Sequence, residues 1–169
     1  MGLINETSFL TQMAGIVAAG GANSPEPTNT ALEATLNNTP TVDMTGASLG
    51  GNTIGTFRTN AAKAIILVTD NTPSSLDDLY TNEDWLNADL LSVQANAQGI
   101  QIFSYLTTST EPAPTVPPTP SVTYVMQNYA TKTSGTYYFT PLGVGISDGV
   151  VDAIVSGVEC PPPTQVSPV

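Results

Sequence analysis

Apolar residues from Ser8 to Ala19 recur at helical spacing, through Phe9, Leu10, Met13, Ile16 and Val17, until Gly20-Gly21 stops the run. A second helix follows Pro25-Glu26-Pro27, with Pro27 in its first turn and Ala31, Leu32 and Leu36 on its inner face, and extends to about Asn37. Residues 39–59, rich in Gly, Thr and Asn, form a long surface loop. The pattern then changes from periodic to continuous. Ala64 to Val68 are all apolar, which predicts a strand buried on both faces of a parallel sheet and central within it.

That strand ends on Thr69-Asp70, followed by the turn residues Asn71, Thr72 and Pro73. Thr81-x-x-Asp84 is a capping box for a helix that turns Trp85, Leu86, Leu90, Val93 and Ala97 inward and closes at Gly99. Ile100 to Leu106 is a second strand. The Pro-rich stretch 107–120 reads as a semi-rigid polyproline spacer outside the core. Ser121 caps a helix bearing Val122, Val125, Met126 and Tyr129, and Ser134-Gly135 turns into a third strand, Thr136 to Thr140. Ile146 and Ser147 open a last helix with Val150, Val151, Ile154, Val155 and Val158 inward.

Helices and strands therefore alternate, which predicts an α/β fold: a doubly wound, mostly parallel, Rossmann-like sheet flanked by helices. One domain spans 1–159 with the Pro-rich insert at 107–120, and 160–169 is an extended tail. Only three strands are evident, which leaves the expected sheet incomplete. Either the Gly-rich region supplies further strands or another chain does.

Charge narrows the function. Fourteen acidic residues against three basic ones give a net charge of −11, and Arg58, Lys63 and Lys132 cannot build a phosphate-neutralising patch. Nucleic acid is excluded as a partner, and divalent cations are favoured. No window resembles a membrane span, and the first residues show neither a signal-peptide pattern nor, with Glu6 at the hydroxyl position, a myristoylation pattern. Only 10% of residues are charged, a composition commoner on secreted or particle-borne proteins than on cytosolic enzymes. The expected location is extracellular, on a cell surface or on a virion.

Catalytic chemistry finds little footing. The chain has no histidine, which removes imidazole bases and the usual Ser-His triad. Its single Cys160 allows no intrachain disulfide and is either a free thiol or a link to another chain. Gly46-x-x-x-x-Gly51-Asn52-Thr53 lacks the lysine of a phosphate-binding loop and reads as a flexible loop. Asp77-Asp78 and Glu83-Asp84 read as solvated and capping carboxylates. Tyr137, Tyr138 and Phe139 alternate across a strand and serve packing. No enzymatic activity is expected.

Four blocks in order resemble the carboxyl-terminal two-thirds of a von Willebrand factor A domain of the integrin-β-like variety. They are G-G-A-N-S-P-E (Gly20 to Glu26), F-R-T-N-A-A-K-A-I-I-L-V-T-D (Phe57 to Asp70), G-I-Q-I-F-S-Y (Gly99 to Tyr105) and Y-A-T-K-T-S-G-T-Y-Y-F (Tyr129 to Phe139). The resemblance implies a cation site at the carboxyl end of the sheet, with Asp70 as the strand-end ligand, Glu26 as the middle-loop ligand and Asn23 at a neighbouring cation. Hard oxygen donors of this kind suit Mg²⁺ or Ca²⁺. The family's D-x-S-x-S loop has no counterpart here, so the implied site is degenerate and holds Mg²⁺ or Ca²⁺ weakly or not at all. Asn71, Thr72 and Pro73 become the expected contact residues for protein partners or other copies, with another chain completing the sheet. Two functions follow as expectations: a structural subunit of a larger extracellular or virion assembly, or a divalent-metal-dependent adhesion module.

Overall fold

A computed structural model describes residues 26–39, 57, 61–75 and 79–145. The expected helix at 8–19, Asn23, nearly all of the 39–59 loop, Asp77-Asp78, the last helix and Cys160 lie outside the described residues.

Helix α1 spans Thr28–Asn37, with Pro27 at its N-cap, one residue ahead of the expected first turn. Asn38 ends it in the left-handed region at φ 52, and the Thr39 N–H donates back to the Ala34 carbonyl at 3.1 Å. Strand β1, Lys63–Thr69, leads to helix α2, Asn82–Ala97, and strand β2, Ile100–Leu106. Helix α3, Val122–Lys132, precedes strand β3, Tyr137–Phe139, and a short 3-10 turn, Pro141–Gly143. The capping box at the start of α2 forms as its spacing predicts. Thr81 accepts from the Glu83 N–H, and the Asp84 carboxylate accepts from the Thr81 N–H at 2.8 Å.

The three strands form a parallel sheet in the order β1-β2-β3. Register sets Ile65 opposite Ile102, Thr69 opposite Leu106, and Leu106 opposite Phe139. Because side chains alternate across a strand, Ile65, Leu67, Ile100, Ile102 and Leu106 share one face with Tyr137 and Phe139. Against that face pack Leu32 and Leu36 of α1, Ala88, Leu91 and Ala95 of α2, and Val125, Met126 and Tyr129 of α3. On the opposite face Phe103 and Tyr105 are buried, with Ala64, Ile66 and Tyr138 packed beside them. Tyr105 and Tyr138 stack there at 4.7 Å between ring centroids.

The first difference concerns β1, which the sequence predicts as central once the Gly-rich region or another chain supplies its missing neighbour. Among the described residues β2 is central and β1 lies at the sheet edge. Most of β1 is half-buried, and Val68 is 46% exposed, whereas β2 is buried at every position but Gln101. Burial follows the number of neighbouring strands, and the longer apolar run of β1 does not change that.

A second difference concerns the faces of α2. Trp85, Ala88, Leu91 and Ala95 face the core, while Leu86, Leu90, Val93 and Ala97 are exposed. Only Trp85 of the expected inner set points inward, where it meets Tyr124 edge to face at 5.4 Å.

The Pro-rich insert, read as a semi-rigid spacer outside the core, is hydrogen-bonded to its neighbours. The Thr123 hydroxyl donates to the Pro112 carbonyl at 2.7 Å, and the Ser121 N–H donates to the Thr115 carbonyl at 3.2 Å. The Thr115 N–H returns a bond to the Ser121 hydroxyl at 3.0 Å, and the Tyr137 hydroxyl donates to Glu111 at 2.8 Å. These bonds staple the insert to the start of α3 and to β3.

Candidate functional site

The carboxyl end of β1 is where the sequence placed its chemistry. Thr69 is the last strand residue, and its hydroxyl forms a tight turn, donating to the Asn71 carbonyl at 3.0 Å and accepting from the Asn71 N–H at 3.1 Å. The Asn71 side-chain carbonyl then accepts from the Thr72 N–H at 2.8 Å. Turn residues with short polar side chains satisfy the backbone in this way once a strand ends. Asp70 is left exposed at the apex, Asn71 and Thr72 are half-buried, and Pro73 is buried.

Glu26 joins this loop through its main chain. Its N–H donates to the Thr72 carbonyl at 3.0 Å, and its carbonyl accepts from the Ser74 N–H at 2.7 Å. Glu26 and Pro73 thereby form a parallel bridge. The fold brings the segment before α1 and the loop after β1 into register, so Glu26 and Asp70 belong to adjoining stretches of chain at one end of the sheet. Asn23, the third sequence-predicted donor, lies outside the described residues.

Donor chemistry decides what this place holds. Among the described residues no three Asp, Glu, His or Cys side chains gather within reach of one ion. Mg²⁺ requires near-octahedral coordination by oxygen, and Ca²⁺ takes still more ligands. Glu26 and Asp70 alone do not fit either ion.

The more heavily connected carboxylate is Asp84, which sequence reasoning had as a helix cap and nothing else. Oδ2 accepts from the Thr81 N–H and, at 2.9 Å, from the Thr81 hydroxyl, while Oδ1 accepts from the Ser75 N–H at 2.9 Å. Burial alone would raise this carboxyl, but the bonds from Thr81 and Ser75 outweigh it and hold it below the usual carboxylate value. Asp84 thus fastens the loop after β1 to the start of α2.

Asn29 completes the fastening. It is fully buried, donates from Nδ2 to the Asp84 carbonyl at 2.9 Å and from its N–H to the Ser74 carbonyl at 3.0 Å, and accepts the Tyr129 hydroxyl. Burial, then the nearby Tyr80, pushes the Tyr129 hydroxyl above its ordinary value. Tyr80 itself is pushed up to about 12, first by burial and then by the Asp84 charge. Ser74 is buried, and its hydroxyl donates to the Glu26 and Ser75 carbonyls, so it serves the loop's shape. The T-x-x-D pattern signalled Asp84, but its bond to Ser75 and the Asn29–Tyr129 pair join residues too far apart in sequence to be read there.

Set against known protein families, curated proteins and solved structures, the chain matches none of them. Among the described residues, no helix is long and apolar enough to cross a membrane.

Proposed function

We propose that this chain is a non-enzymatic structural subunit with a von Willebrand A-like, doubly wound fold, working in a larger extracellular or virion assembly. Another chain completes its sheet along β1, and the metal site of the fold is degenerate. The observation that carries this reading is the edge position of β1. An apolar parallel strand is ordinarily covered by strands on both sides, yet among the described residues β1 pairs with β2 alone. An open edge of backbone donors and acceptors is a template for a strand from a partner. Asn71, Thr72 and Pro73 form the turn beside that edge and would meet such a partner as contact residues.

The second reading, a divalent-metal-dependent adhesion module, draws on the bridge that sets Glu26 beside the loop after Asp70. Thermal melting of the full chain with and without Mg²⁺ or Ca²⁺ separates the two. The structural reading predicts no shift. A rise in melting temperature that Asp70→Ala abolishes favours the adhesion module instead.

A further inference from the structure

Helix α2 is apolar on two opposite sides. At 3.6 residues per turn, Leu86, Leu90, Val93 and Ala97 fall within one narrow arc about 180° from the arc of Ala88, Leu91 and Ala95. The latter arc meets the core. Leu86 is 51% exposed, Leu90 66% and Val93 53%, and Ala97 is exposed with them. An amphipathic helix needs one apolar stripe for its core contact, and the second stripe on α2 exceeds that need. The exposed residues are spaced by four, three and four, the a/d spacing of a helix seam.

From this seam we infer a docking surface for a second copy of this chain, with the two α2 helices packed antiparallel. Charge favours that occupant. The protein is strongly acidic overall, but the seam is flanked by the amides Asn87, Gln94 and Asn96, and the carboxylate beside them on α2, Asp89, is paired with Lys132. Two copies meet here without placing unpaired carboxylates opposite one another. The ends of the seam are complementary as well. Glu83 lies at its amino end, while Lys63 Nζ donates to the Gln98 carbonyl at its carboxyl end, 2.9 Å away. An antiparallel pair sets the acidic end of each helix toward the lysine-capped end of the other. It also sets Leu90 opposite its own copy and Leu86 opposite Val93.

The seam alone is smaller than the roughly 800 Å² per partner of a stable interface, so the contact is weak in isolation and works alongside others in an assembly. Its apolar residues all lie on α2 and only Lys63, at one end, belongs to β1, so trapping at Leu90 tests it separately from the proposal for the β1 edge.

Disulfide trapping tests it, with the full chain carrying Cys160→Ser throughout. Leu90→Cys is expected to form a covalent dimer under mild oxidation, and a mixture of Leu86→Cys and Val93→Cys chains a covalent heterodimer. Leu86→Cys alone is expected to remain uncrosslinked. Three results would overturn the inference. One is a Leu90→Cys chain that stays monomeric. Another is Leu86→Cys crosslinking to itself as readily as Leu90→Cys does. The third is a thiol in the Leu90→Cys chain that maleimide cannot reach, because another part of the chain covers it. Circular dichroism matching that of the parent chain shows that each variant is folded.

Discussion

The Tyr129 hydroxyl donates to the side-chain carbonyl of Asn29, a hundred residues earlier in the chain, and both residues are fully buried. Through this one bond α3 is tied to α1. Asn29 passes the connection on to Asp84 and Ser74, so the start of α1, the loop after β1 and the start of α2 become one unit.

Asn29→Ala strands the buried Tyr129 hydroxyl and removes a second bond from the Asp84 carbonyl, which the helix backbone still satisfies. The expected loss is about 1–3 kcal/mol, the cost of one unsatisfied buried group. Tyr129→Phe strands only the Asn29 oxygen and should lose about 1–3 kcal/mol. Urea unfolding of both single variants and the double variant measures the coupling, which should be clearly non-additive.

Tyr80 offers the contrast. Its hydroxyl is buried with no hydrogen-bond partner among the described residues. Tyr80→Phe therefore removes an unmet donor and should leave stability unchanged or slightly raised, in the same urea experiment. Alkaline unfolding should respond too. The folded Tyr80 titrates at about 12 against an ordinary value of 10.0, so its neutral form stabilises the fold fully below pH 10 and that contribution is lost as pH rises through the folded value. Tyr80→Phe should soften the alkaline limb.

Asp84 governs the acid limb. Its folded value lies below the ordinary 3.8. The stabilisation is complete above that ordinary value and disappears as pH falls through the lower folded one. Asp84→Asn puts an NH₂ group where donors from Thr81 or Ser75 point, and should lose about 1–3 kcal/mol at neutral pH. The gap between parent and variant should close on acidification. Melting temperature as a function of pH reads this directly.

Two glycines separate steric from conformational need. A Cβ on Gly135 would lie 2.0 Å from the Ile102 carbonyl oxygen, because the turn after α3 presses against β2. Gly99 has open space around it but adopts φ +66. Gly135→Ala should lose about 3 kcal/mol or more through overpacking, and Gly99→Ala about 1–2 kcal/mol through left-handed strain. Urea midpoints of the two variants, set beside that of the parent chain, check the order.

What could be read from the sequence was what is local. The Thr81–Asp84 box, the Ser121 cap, Gly99 and the strand runs at 64–68 and 100–106 depend on neighbours a few residues away. The inner face of α2 could not be read, because its two apolar arcs make Leu86 and Leu91 equivalent until packing chooses between them. The sequence placed β1 centrally in a sheet the chain could not finish alone; among the described residues only β2 flanks it, and an apolar run does not say what supplies the other neighbour. At the candidate site the Glu26–Pro73 bridge sets the segments of Glu26 and Asp70 side by side, while the Asn29–Tyr129 and Ser75–Asp84 bonds needed the fold.

The central claim is that β1 is an edge awaiting another chain, and amide hydrogen exchange on Lys63–Thr69 in dilute, monomeric protein tests it most directly. An edge strand bonds β2 through alternate residues only, so the account predicts slow exchange alternating with fast exchange along β1, against uniformly slow exchange along β2. Uniformly slow exchange along β1 in the monomer would contradict it, since the chain would then be covering that edge itself.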